Sequence, residues 1–88
     1  MARVVMYTKA TCPYCTMAKR LLRLKGHDWI EFDVAADPAR REEMIERSGR
    51  VTVPQIFIGE THVGGYDELA ALERAGELDA LLEPEFGG

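Results

Sequence analysis

Hydrophobic and polar residues change period several times along this chain, and each change marks an expected element. Residues 4–7, Val-Val-Met-Tyr after Arg3, form a short β-rich run that reads as a strand, with residues 8–11 as a connecting loop. Met17, Ala18, Leu21 and Leu22 then recur at helical spacing, with Lys19, Arg20 and Arg23 outside the stripe. Pro13 suits the first position of that helix, where a missing N–H is harmless, which makes Cys12 the N-cap. Gly26 ends it, and Lys25 complements the negative end of the helix dipole. Residues 29–34 alternate as Trp-Ile-Glu-Phe-Asp-Val and predict a second strand. Asp37-Pro38 is a helix start and Gly49 a helix stop, with Met44 and Ile45 facing inward. Residues 55–58 predict a third strand after Thr52-Val53-Pro54, and Gly59-Glu60 a hairpin connection to a fourth at 61–63. Gly64-Gly65 break the chain. Tyr66-Asp67 open a helix carrying Leu69 and Leu72 inward, and Gly76 stops it. Leu78, Leu81 and Leu82 suggest one or two further turns, followed by a frayed end at 84–88.

The predicted order is βαβαββα, an α/β arrangement. Its βαβ start demands a right-handed crossover and a parallel first pair. The later hairpin adds an antiparallel edge, giving a four-stranded mixed sheet flanked by helices. At 88 residues the chain is expected to be one domain, 1–88. No run approaches the ~18 apolar residues of a membrane span. Residues 1–7 lack the apolar core and cleavage site of a signal peptide, so a cytoplasmic location is expected.

Charge is divided unevenly. Residues 1–27 hold six basic groups and no acid, whereas residues 28–88 hold five arginines against fifteen acids. The net charge of −4 argues against nucleic acid as a partner, since such binders carry a basic stripe on a basic domain. Most of these charges solvate helix faces. Both cysteines nevertheless lie in the basic part.

Those two cysteines form one Cys12-Pro13-Tyr14-Cys15 run, leaving none for a structural bridge. In a reducing compartment such a pair is redox-active or metal-binding. Haem attachment needs His after the second Cys, and residue 16 is Thr. A zinc finger needs two His a few residues apart, but His27 and His62 are 35 residues apart. The βαβ context and the internal proline favour redox chemistry. An N-cap Cys12 would receive the free N–H groups of Tyr14 and Cys15 and the positive helix end, which lowers a thiol pKa. Lys9, and more distantly Lys19 and Arg20, add positive charge. Cys15 falls one turn along on the same face, within reach to form the bridge.

With these residues in view, the chain resembles the glutaredoxin family, in particular its small bacterial dithiol members. The resemblance spans nearly the whole chain and rests on three motifs in order: Tyr7-Thr8-Lys9 leading into Cys12-Pro13-Tyr14-Cys15, then Thr52-Val53-Pro54-Gln55, then Gly64-Gly65-Tyr66-Asp67. It implies a thioredoxin-like fold and a glutathione-dependent thiol-disulfide oxidoreductase, with Cys12 attacking and Cys15 resolving. It also implies a cis Pro54, whereas the residues alone read as a trans proline starting a strand. Thr52, Val53 and Pro54 would present a free edge to the cysteinyl unit of glutathione. Gly65, Tyr66 and Asp67 would receive its γ-glutamyl end at a helix start, with Asp67 capping the helix or meeting the ammonium group. Lys9 would bind the glycine carboxylate, assisted by Gln55, and Tyr14 would cover the dithiol. Read without the family, Lys9 is a solvated lysine and Gly64-Gly65 are turn glycines.

The expected partners are glutathione as co-substrate and disulfide-bearing or glutathionylated proteins, ribonucleotide reductase being the one the family suggests, and the protein itself is expected to be a monomer. Neither a tightly bound cofactor nor a metal is expected. Trp29, Phe32, Phe57, His27 and His62 read as structural. Two rivals remain open at this point. One is a carrier of a [2Fe–2S] cluster held by Cys12 of two chains and two glutathiones, against which Pro13 argues. The other is a thioredoxin-type reductant fed by a flavin reductase.

Overall fold

The computed structural model describes residues 2–83; the expected frayed end at 84–88 lies outside them. The elements are β1 (Val4–Thr8), α1 (Pro13–Leu24), β2 (Ile30–Asp33), α2 (Pro38–Ser48), β3 (Gln55–Ile58), β4 (Thr61–Gly64), α3 (Tyr66–Arg74) and α4 (Leu78–Leu82). The sheet runs β2-β1-β3-β4, with β1 and β2 parallel and the other two pairings antiparallel. This is the mixed sheet that the element order demands.

Strand alternation divides the interior in two. Val4 and Met6 of β1 and Ile56 and Ile58 of β3 face α1, α3 and α4, where they meet Ala18, Leu22, Leu69, Leu78 and Leu82. The intervening Tyr7 and Phe57 face α2 and pack with Val34 and Met44. α2 is further tied down by polar groups. The Tyr7 hydroxyl donates to Glu43 and accepts from Arg47 Nη1 at 2.9 Å, while the Arg47 and Arg40 guanidiniums lie over Phe57 and Phe32. Asp37 Oδ1 caps α2 by accepting from the Ala39 and Arg40 N–H groups, and Gly49 closes it at φ +71°.

Two expectations shift. The second strand is shorter than 29–34. Trp29 stands outside it, its indole N–H donating to Glu31 and its ring beneath Arg23. In α1 the inward stripe is Cys15, Ala18 and Leu22, and Met17 is 42 % exposed. The N-cap geometry at Cys12 sends Cys15 inward, and at about 100° per residue the helix then carries Met17 off the buried face.

Candidate active site

Cys12 has extended backbone angles (φ −133°, ψ 101°) and caps α1: its Sγ accepts the Cys15 N–H at 3.1 Å, and its carbonyl accepts the Thr16 N–H. Among the described residues Cys15 alone supplies an N–H to this sulfur, whereas the sequence suggested Tyr14 as well. The two sulfurs are paired as a disulfide across a Cα separation of 5.2 Å. Cys12 keeps a sliver of exposure at 7 %, and Cys15 is sealed behind it at 1 %. Cys12 is therefore the more accessible of the two from outside.

No acidic residue occupies the first turn of α1. Lys19, however, is committed elsewhere. Its Nζ pairs with Glu31 at 3.0 Å, a carboxylate that also accepts from Thr8 Oγ1 and the Trp29 indole. Burial pushes Glu31 up, and these three donors together outweigh it, so its pKa falls below the ordinary 4.5. Lys19 also lies two helical turns from Cys12, about 10 Å along the axis.

Facing the dithiol is the Thr52-Val53-Pro54 loop, with a cis Val53–Pro54 bond as the resemblance implies. The Val53 carbonyl oxygen lies 3.7 Å from Cys12 Sγ. A hollow opens on each side of this loop. The first, about 530 Å³, has Lys9, Cys12, Pro13, Arg41, Thr52 and Val53 in its wall. The second, about 270 Å³, is shaped by Tyr14, Arg50, the same Thr52 and Val53, and the start of α3. Lys9 and Arg41 are exposed and enter no ion pair among the described residues. Tyr14 and Tyr66 stack with ring centroids 6.4 Å apart, forming one flank of the smaller hollow.

At α3, Gly65 is the N-cap and has no side chain to offer. Glu68 reaches back instead, its Oε1 accepting the Gly65 N–H at 2.6 Å. That bond, partly opposed by burial and helped by Arg50 at 3.6 Å, lowers the Glu68 pKa from 4.5. Asp67 therefore does not cap the helix. It stays exposed beside the smaller hollow, and the Tyr66 and Asp67 N–H groups have no partner within the helix.

The structure thus gathers Lys9 and Cys12 in one hollow and Tyr14, Pro54, Gly65, Tyr66 and Asp67 in the other, with Thr52 and Val53 shared between them. Gln55 is not among them. It is fully buried and bonds Thr52 from beneath, so it offers no atom to a ligand. Sequence reasoning missed Arg41, Arg50 and Glu68. Arg41 sits in a run of charges with nothing to distinguish it. The Gly65-x-x-Glu68 spacing of a capping box was the one available signal for Glu68.

The family model described as Glutaredoxin matches residues 4–63. The chain belongs to the glutaredoxin family. It is 57 % identical to Glutaredoxin 3 of Escherichia coli K12, over 94 % of this chain and all of that one. The solution structure of a glutaredoxin from Brucella melitensis superposes with a TM-score of 0.83 at 57 % identity, covering 94 % of this chain and 90 % of that chain. A buckwheat glutaredoxin solved in complex with glutathione superposes at 0.84 with 28 % identity, covering 92 % and 76 %. The fold of this glutaredoxin is thioredoxin-like, and its Cys12–Cys15 pair makes it a thiol-disulfide oxidoreductase. Among the described residues no helix is long and apolar enough to cross a membrane.

Proposed function

We infer that this glutaredoxin reduces protein disulfides and glutathione mixed disulfides at the expense of glutathione. One observation carries the reading: the hollow that holds Cys12, with Lys9 and Arg41, cations unpaired among the described residues, in its wall, shares Thr52 and Val53 with a second hollow at the free N–H groups of α3. Glutathione is an extended tripeptide with a thiol in the middle and a carboxylate at each end. Lys9 and Arg41 suit its glycine carboxylate, Thr52 and Val53 its cysteinyl backbone, and the Tyr66 and Asp67 N–H groups its γ-glutamyl carboxylate, with the Asp67 side chain near the ammonium. The buckwheat relative solved with glutathione supports glutathione as the ligand.

The chemistry follows from the two sulfurs. In the reduced enzyme the Cys15 N–H and the start of α1 favour the Cys12 thiolate over the thiol. That thiolate attacks the glutathione sulfur of a mixed disulfide. The substrate leaves as a thiolate and takes up a proton, and Cys12 is left joined to glutathione. A second glutathione thiolate attacks the glutathione sulfur of this intermediate, releasing oxidised glutathione and restoring Cys12. With a protein disulfide, Cys12 forms the mixed intermediate and Cys15 attacks the Cys12 sulfur. The protein thiol departs and the Cys12–Cys15 bridge remains for two glutathiones to reduce. The tether makes that resolving step intramolecular, hence fast.

Such a cycle runs in a compartment that keeps thiols reduced, consistent with a cytoplasmic, monomeric enzyme whose protein substrates include the ribonucleotide reductase expected from the family. The test compares reducing systems and cysteine variants. Turnover is expected with glutathione and its reductase and not with a thioredoxin-type flavin reductase. Cys12→Ser abolishes both activities, and Cys15→Ser spares deglutathionylation while removing most dithiol turnover. Equal loss of both activities in Cys15→Ser would overturn the assigned roles. A brown dimer on anaerobic purification would point to the cluster carrier instead.

A further inference from the structure

The Thr52-Val53 segment has to present its backbone to a ligand, yet it belongs to no strand. What holds it lies beneath. Gln55, with no exposed surface, donates its amide N–H groups to the Thr52 carbonyl at 3.0 Å and to Thr52 Oγ1 at 3.2 Å. The Thr52 carbonyl and the Val53 N–H belong to one trans peptide plane and point in opposite directions. Drawing the carbonyl inward therefore turns the Val53 N–H outward, into the cleft.

The amide itself is held from the far side. Gln55 Oε1 is 2.8 Å from His62 Nε2. Because the Thr52 carbonyl only accepts, Gln55 must turn its NH₂ toward it, and His62 must then supply an N–H at Nε2. The imidazole does so in its Nε2–H tautomer and as imidazolium alike. Burial and the nearby Arg50 and Arg47, against Glu68, favour the neutral ring. That ring stacks on Phe57 at 4.8 Å, so β4 and the core beneath the sheet fix its place.

We propose that Gln55, oriented by His62, is a positioning residue that aims the Val53 N–H at the cysteinyl unit of glutathione. This rests on the glutathione reading above and adds a specificity device outside the cleft. Neither side chain touches ligand; both act through one peptide plane.

The experiment measures the KM for glutathione and the rate of Cys12 alkylation by iodoacetamide in Gln55→Leu, His62→Leu and His62→Gln, with thermal unfolding as a control. Gln55→Leu and His62→Leu are expected to raise the glutathione KM by about tenfold, the equivalent of one backbone hydrogen bond lost or misaimed. The alkylation rate and its pH profile should stay within about twofold of wild type, because the Cys15 N–H that caps Cys12 belongs to α1. His62→Gln, whose amide reaches as far and also donates, should restore the KM. A merely structural role would lower the unfolding temperature without this pattern. A wild-type KM in both leucine variants, a parallel loss of alkylation, or failure of His62→Gln to rescue would each overturn the positioning role. Should Gln55→Leu not fold, the His62 pair carries the test. A wild-type enzyme indifferent to glutathione would overturn the underlying reading instead.

Discussion

Removing the Glu68 carboxylate should unfasten the start of α3 by an amount that the local geometry sets. Glu68 Oε1 accepts the Gly65 N–H at 2.6 Å, and no other side chain caps this helix. A hydrogen bond to a charged group contributes roughly 1.5–3 kcal/mol when shielded from water. The Glu68 side chain is 47 % exposed, so water competes for it. The exposed Arg50 pair at 3.6 Å adds next to nothing. About 1 kcal/mol remains, the usual value of an N-terminal cap. Unfolding entropy of roughly 2.1 cal/mol/K per residue turns this into a fall in Tm of about 5 °C for Glu68→Ala. Glu68→Gln keeps a neutral acceptor and should lose about half as much.

The pH dependence provides the sharper check. Because the folded-state pKa of Glu68 lies below the ordinary 4.5, its stabilisation is complete above 4.5 and lost as pH falls through the lower value. Urea unfolding of wild type and Glu68→Ala should therefore differ by about 1 kcal/mol at pH 7 and converge in acid. Equal stability at pH 7, or a gap that persists unchanged at pH 3, would refute the argument that a charged cap holds this helix.

Gly64→Ala should destabilise by about 2 kcal/mol or more, since it places a Cβ at φ +114° and 2.7 Å from Glu68 Oε1. The same change made in Glu68→Ala should be milder, a coupling that a double-mutant cycle measures. Tyr7→Phe should cost about 1–2 kcal/mol in urea unfolding by removing the hydroxyl shared between Glu43 and Arg47. That hydroxyl leads the groups holding the Glu43 pKa below 4.5, so the variant should also lose less stability on acidification than wild type does. Leu22→Ala, at a fully buried position among Ala18, Ile56 and Leu69, should lose about 2–5 kcal/mol, a large share of the whole for a chain this small.

The linear order of residues already determined most of this molecule, because the decisive signals are local. A β-rich run marks β1 and a 3.6 period the helices; Pro13, Asp37-Pro38 and Gly49 set helix ends through backbone sterics and a local side-chain cap. The Cys12-Pro13-Tyr14-Cys15 run puts a sulfur at a helix start whatever the rest of the chain does. Tertiary structure decided what local rules cannot reach. Met17 and Cys15 are equally apolar on paper, and only the anchored N-cap rotates one outward and the other in. Lys19 looked free until β2 brought Glu31 beside it, and Gln55 looked like a ligand contact until the sheet buried it against Thr52 and His62. Arg41 joined the cleft because α2 folds back toward the dithiol from 29 positions further along the chain. A side chain's partners across such distances follow from which faces the sheet and helices bury against each other, and that information resides in no short stretch of sequence.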